Sequence, residues 1–171
     1  MKLSIELFAI AILLTGCSMG SKTISSPDGN LEVSFALTSQ GEPSYSAKYK
    51  KEPIVLSSLL GFEMKGGKNL TQGFHIDSIT RSEINETWAP VWGENDSISN
   101  NCRQMTVYMS RGDIKMDIEF RAFNDGFGFR YIFPEQATKQ FTVIDEKTQM
   151  AMAGDHTAWW IPGDYDTQEY E

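Results

Sequence analysis

The stretch Trp88-Ala89-Pro90-Val91-Trp92-Gly93-Glu94 has residue types suited to binding chemistry. Two indoles four apart around a proline make a stiff aromatic loop or edge strand. Flat indole faces suit the C–H faces of sugars; packing of the loop against a sheet is the commoner use of tryptophan. A second stretch, Asp155, Asp164, Asp166, Glu169 and Glu171, is acidic, and no Lys or Arg follows Lys147. Carboxylate oxygens of this kind suit calcium, but the spacing is not that of an EF-hand loop. A solvated acidic loop is the plainer reading. Paired carboxylates carry out glycoside hydrolysis, yet the sequence has too many acids to single out a pair. His75 and His156 stand far apart with no cysteine cluster beside them. No phosphate-binding glycine loop and no Gly-x-Ser-x-Gly elbow occurs. Nothing points to a Ser-His-Asp triad.

The elements that must position these residues read as strands. Leu31, Val33, Phe35 and Leu37 alternate with Glu32, Ser34 and Ala36, after the turn signal Pro27-Asp28-Gly29-Asn30. Tyr45, Ala47 and Tyr49 alternate next, and Lys50-Lys51-Glu52-Pro53 turns the chain into Ile54-Val55-Leu56. Phe62 and Met64, then Phe74, Ile76 and Ile79, give further short strands. Met105, Val107 and Met109 precede Arg111-Gly112-Asp113, and Ile114, Met116, Ile118 and Phe120 alternate after it. Phe127, Phe129, Tyr131 and Phe133 follow Asn124-Asp125-Gly126 as the return arm of an antiparallel hairpin. Gly126 is expected to supply a positive φ there. The phenylalanines should line one face, with Arg130 on the other. Phe141 and Val143 make one more strand.

No stretch of the body sustains a 3.6-residue apolar period, and strands recur at the spacing of a sandwich. Half-polar strands imply antiparallel sheets with one wet face. The 171 residues suit one domain, and 40% hydrophobic against 22% charged residues suit a folded one. A net charge of −8 argues against nucleic acid as a partner, which needs clustered positive charge. The chain stops at Glu171, shortly after Trp159-Trp160-Ile161-Pro162-Gly163-Asp164-Tyr165-Asp166, a stretch that reads as the middle of a domain. The expectation is a sandwich incomplete at its C-terminal end.

Ahead of the body, Lys2 and the apolar run over residues 7–14 fit a secretory signal. The run is shorter than the roughly 20 apolar residues that span a bilayer. Leu14-Thr15-Gly16-Cys17 resembles a bacterial lipobox, in which cleavage precedes the cysteine and Cys17 is acylated. The expected division is a signal over residues 1–16, a lipidated tether over 17–23 and the sandwich over 24–171. Ser18 after the cysteine favours a lipoprotein on the periplasmic side of the outer membrane, with acyl chains contributing roughly 0.8 kcal/mol per buried methylene. Cys102 then has no partner within the chain and reads as a buried, inert thiol.

Taken together the motifs resemble the N-terminal domain of glycoside hydrolase family 97, the α-glucosidases and α-galactosidases typified by the starch-utilisation enzyme of gut Bacteroides. Ser26-Pro27-Asp28-Gly29-Asn30-Leu31, Glu86-Thr87-Trp88 with Pro90-Val91-Trp92-Gly93-Glu94, and Phe120-Arg121 with Phe123-Asn124-Asp125-Gly126 carry the resemblance. So do Gly128-Phe129-Arg130-Tyr131, Gly154-Asp155-His156 and the run from Trp160 through Tyr170. The resemblance implies an all-β, antiparallel β-super-sandwich of the galactose-mutarotase type. In the family this domain packs on a (β/α)8 barrel that carries the acid and base carboxylates, and it helps wall the active site. It further implies that Glu169 lends one carboxylate to a catalytic calcium, and that oligosaccharide is a partner only in the full-length context. The chain alone is then not catalytic. The segment Asn101-Cys102-Arg103-Gln104-Met105 departs from the family in lacking a glutamate there. The alternative is a stand-alone carbohydrate-binding β-sandwich lipoprotein, using Trp88, Trp92, Trp159 or Trp160.

Overall fold

The structure is a computed structural model, which describes residues 22–67, 69–137, 140 and 142–159. Eleven strands occur among the described residues, with no helix. One sheet has the order β1 (Thr23–Ser25), β2 (Leu31–Leu37), β3 (Pro43–Tyr49), β4 (Glu52–Leu59). The larger sheet has the order β10 (Phe127–Ile132), β9 (Asp117–Ala122), β7 (Ile98–Arg111), β6 (His75–Trp88), with β8 (Ile114–Lys115) beside β7. A two-stranded piece pairs β5 (Phe62–Met64) with β11 (Val143–Glu146). All recorded strand pairings are antiparallel, as expected.

The core lies between the two main sheets because each strand alternates. Leu31, Val33 and Phe35 meet Met105, Val107, Ile118 and Phe120, all buried. Phe120 sits 6.1 Å from Phe35 and 6.4 Å from Tyr45, centroid to centroid, and Tyr45 lies 5.1 Å from Phe129. These tilted contacts bridge the sheets. The small sheet closes one end, where Phe62 meets the Tyr131 ring at 4.5 Å. Tyr45 donates its hydroxyl to the Gln149 carbonyl at 2.9 Å, tying the segment after β11 to the core. Burial pushes the Tyr131 phenol up to about 12. Its hydroxyl lies 2.6 Å from Thr148 Oγ1 and accepts the Gly61 amide at 3.2 Å, so its polar atom is satisfied.

Two local expectations change. Tyr49 pairs with Glu52, so Lys50-Lys51 alone makes the turn, both at positive φ (49° and 74°). That is the two-residue hairpin geometry whose twist matches the strands. The turn between β9 and β10 spans residues 123–126 and is closed by the Phe123 amide donating to the Gly126 carbonyl at 2.8 Å. Gly126 is not among the positive-φ residues. A four-residue loop built around a type I turn needs no left-handed residue, so the glycine is not there for its φ.

Candidate functional site

The polar groups gather on the outer face of the larger sheet. Ile118, Phe120 and Ala122 of β9 point into the core, so Asp117, Glu119 and Arg121 point out. The β9–β10 register sets Arg130 opposite Glu119 and Gly128 opposite Arg121. Glu119, its side chain only 8% exposed, takes Arg130 Nε at 2.9 Å and lies 3.5 Å from Arg121 Nε. Arg130 Nη2 also donates to Glu119 Oε2 at 3.3 Å, and Arg121 Nε donates to Gln104 Oε1 at 2.9 Å. A carboxylate between two guanidinium groups is a mutually fixed set rather than a loose surface pair. Phe123 and Gly128 complete a hollow of about 200 Å³ beside it. A larger hollow of about 670 Å³ opens between the two main sheets, bordered by Leu31, Tyr49, Ile54, Phe129, Met150 and Met152. Its lining is mostly apolar, with Asn124 and Asp125 also among the residues that border it.

Further along the same face Ser110 donates to Asp77 Oδ1 at 2.9 Å and lies 3.0 Å from His75 Nε2. That same His75 nitrogen is 3.0 Å from Asp77 Oδ1. A nucleophilic triad needs serine and carboxylate on different ring nitrogens. Here both meet one nitrogen, and the serine gives its proton to the carboxylate, so the trio is a surface hydrogen-bond cluster.

Asp117 Oδ1 accepts the Met109 amide at 3.4 Å. Burial holds the Asp117 carboxyl above the usual carboxylate range; the Met109 bond opposes this and the Asp77 charge adds to it. The folded chain therefore binds this proton more tightly than the unfolded chain does. Stability falls as pH rises from the ordinary carboxylate pKa through the raised one, and the penalty is complete above it. Asp117→Asn keeps the acceptor oxygen and removes the charge. It should raise Tm at neutral pH, with the gain fading toward about pH 3 where the aspartate is already protonated. Thermal melts at both pH values test this; a gain independent of pH would refute the burial argument.

The tryptophan stretch departs from the core-packing reading. β6 and β7 pair along their whole length, from His75 opposite Ser110 to Trp88 opposite Ile98. β9 pairs with β7 only over Arg103–Val107. The distal ends of β6 and β7 therefore continue beyond β9 as a two-stranded ribbon. At its tip Trp92 is 88% and Val91 99% exposed, and Trp88 is half exposed. Trp159, at 94% exposure, is equally open to solvent. No second layer of the described structure covers the ribbon tip, which is why these indoles are not core residues.

Cys102 is buried as expected, and burial pushes its thiol up, consistent with an inert group. Asp155 is exposed. Cys17, Trp160, Asp164, Asp166, Glu169 and Glu171 lie outside the described residues. Among the described residues no group of three or more His, Cys, Asp or Glu is placed to hold a metal ion. The Glu119 set went unread in the sequence, although counting back from the 123–126 turn places Arg130 against Glu119.

Fold and face together define a class: an antiparallel β-sandwich domain with a charged, pre-bonded outer face. A family model described as the glycosyl-hydrolase 97 N-terminal domain matches residues 24–171. The chain belongs to this family, as the motif resemblance indicated. The retaining alpha-galactosidase of Bacteroides thetaiotaomicron is 24% identical over 174 residues, covering 98% of this chain and 25% of that enzyme. A glycoside hydrolase family 97 enzyme from Pseudoalteromonas sp. strain K8, solved with acarbose, aligns at TM-score 0.75 and 32% identity, over 82% of this chain and 22% of that one. Its complex with panose gives TM-score 0.74 and 33% identity over the same shares. A beta-arabinopyranosidase shares the fold at TM-score 0.66 and 21% identity, over 74% of this chain and 20% of that one. The chain spans 22–25% of the length of the first relatives it matches.

Proposed function

We propose that this chain is the N-terminal part of a calcium-dependent glycoside hydrolase acting on α-glucosides or α-galactosides. The observation that carries the reading is the family match across residues 24–171. The panose and acarbose complexes of the similar Pseudoalteromonas enzyme support a glucoside, and the Bacteroides relative supports a galactoside. In this reading the sandwich packs on a catalytic barrel and walls its active site, and the acid and base carboxylates lie on that barrel. Glu169 supplies one oxygen ligand to calcium, a hard cation that takes six to eight oxygens. In this reading the remaining ligands come from the barrel. When bound, the cation supplies positive charge near the reacting sugar. Acylation of Cys17 anchors the protein on the periplasmic side of the outer membrane.

The chain alone is expected to leave aryl α-glucosides and α-galactosides intact. Joined to its barrel it should cleave one of them. Glu169→Gln in that joined protein should weaken calcium binding at least about tenfold, since one of few charged ligands is lost. Unchanged calcium affinity in the variant would remove Glu169 from the role. Turnover by the isolated chain would remove the barrel from it.

A further inference from the structure

We propose that the hollow beside Glu119, on the outer face of the larger sheet, is a binding site for a single uncharged hexopyranose ring. The site uses only residues of this chain, so it stands or falls separately from the barrel and calcium reading.

The chemistry of the lining fits a sugar. Every sugar hydroxyl both donates and accepts, so a vicinal pair is best met by a carboxylate beside guanidinium donors. Glu119, Arg121 and Arg130 provide that combination: Arg130 is hydrogen-bonded to Glu119, and Arg121 lies 3.5 Å from it while donating to Gln104. A guanidinium has five N–H donors and a carboxylate about four lone-pair positions. The recorded bonds use one donor of Arg121 and two of Arg130. Phe123 gives the hollow an apolar wall for the C–H face of a ring. Because the charged groups hold each other beforehand, the ligand meets a preorganised set and little ordering cost is left.

Size and charge narrow the ligand. The hollow of about 200 Å³ is smaller than the roughly 300–1,000 Å³ of sites for drug-sized ligands, so it suits one ring rather than a chain. Two arginines and one glutamate leave one positive charge locally, while Asp117 stands on the same face and the whole chain carries −8. The surrounding negative field works against an acidic ring.

Gly128 leaves the hollow open. It stands opposite Arg121 on the outward face, and a Cβ built there meets nothing within 4 Å. Its backbone is not at positive φ, so a side chain is tolerated and would occupy the space. Gly128→Leu should therefore fill the site without disturbing the strand, while Gly128→Ala should leave it open.

The test is saturation-transfer NMR on the full chain with methyl α-D-glucopyranoside and methyl α-D-galactopyranoside. At least one should bind with Kd of about 1–10 mM, typical of a single weakly held ring. Gly128→Leu and Arg130→Ala should each raise Kd at least about tenfold at unchanged amide dispersion. Gly128→Ala and Trp92→Ala should leave it unchanged. The proposal is overturned if neither glycoside binds. It is also overturned if binding survives both Gly128→Leu and Arg130→Ala, if it is lost instead in Trp92→Ala, or if methyl α-D-galacturonate binds more tightly than both neutral glycosides.

Discussion

Phe120→Ala is expected to lower the stability of the folded chain by about 3–5 kcal/mol, the usual cost of emptying a fully buried phenylalanine site. The ring is 0% exposed and touches both sheets, with centroids 6.1 Å from Phe35, 6.4 Å from Tyr45 and 5.7 Å from Phe129. Its loss removes the burial energy and leaves a cavity bounded by strands that cannot all move inward together. Domains of this size are stable by only about 5–15 kcal/mol, so the variant would lose much of its margin. Urea unfolding gives the value directly. A loss below about 1 kcal/mol would mean that Phe120 does not hold the two sheets together.

Gly61→Ala is the second large effect, and its cause is contact rather than cavity. Gly61 has φ 148°, and a Cβ there would lie 2.3 Å from the Leu70 carbonyl oxygen. That carbonyl accepts the Phe62 amide at 3.2 Å, and Leu70 donates back to Phe62 at 2.8 Å. Gly61 also donates to the Tyr131 hydroxyl and accepts the Lys147 amide at 2.8 Å. One added methyl thus strains the backbone and pushes on a junction of three segments. The expected loss is about 3 kcal/mol or more, above the ~1–3 kcal/mol of a strained backbone alone. Gly66→Ala is the control, because Gly66 also has positive φ (85°) but nothing within 4 Å of a Cβ. Its cost should stay near 1 kcal/mol. Equal losses in the two variants, by urea unfolding, would show that backbone conformation rather than the Leu70 contact governs Gly61.

Much of the fold was legible because burial on one face prints a period of two. Leu31, Val33 and Phe35 in β2 form a half-buried alternation and were read as such; Ile118 and Phe120 in β9 alternate in residue type, although Asp117 and Glu119 beside them are buried as well. The far half of β6 was not legible. Residues from Thr80 to Trp88 are almost all exposed on both faces, so no alternation marks them as a strand. The pairing with β7 holds them extended instead. The tryptophans misled for a related reason: an indole is apolar wherever it stands, and sequence does not reveal that a ribbon tip has no layer above it. Glu119 and Arg130 meet only through strand pairing, so spacing along the chain hides them until the hairpin register is worked out. The inert reading of Cys102 came from the absence of a nearby histidine in sequence, and the structure buries the residue.

The central claim is that this sandwich works as one part of a larger glycoside hydrolase. The most direct measurement is to sequence the coding DNA immediately 3′ of codon 171. The expected result is a continuation, in frame or shifted by one base, that encodes a (β/α)8 barrel bearing paired glutamates. A genuine stop followed by unrelated sequence would contradict it, and the chain would then have to act alone.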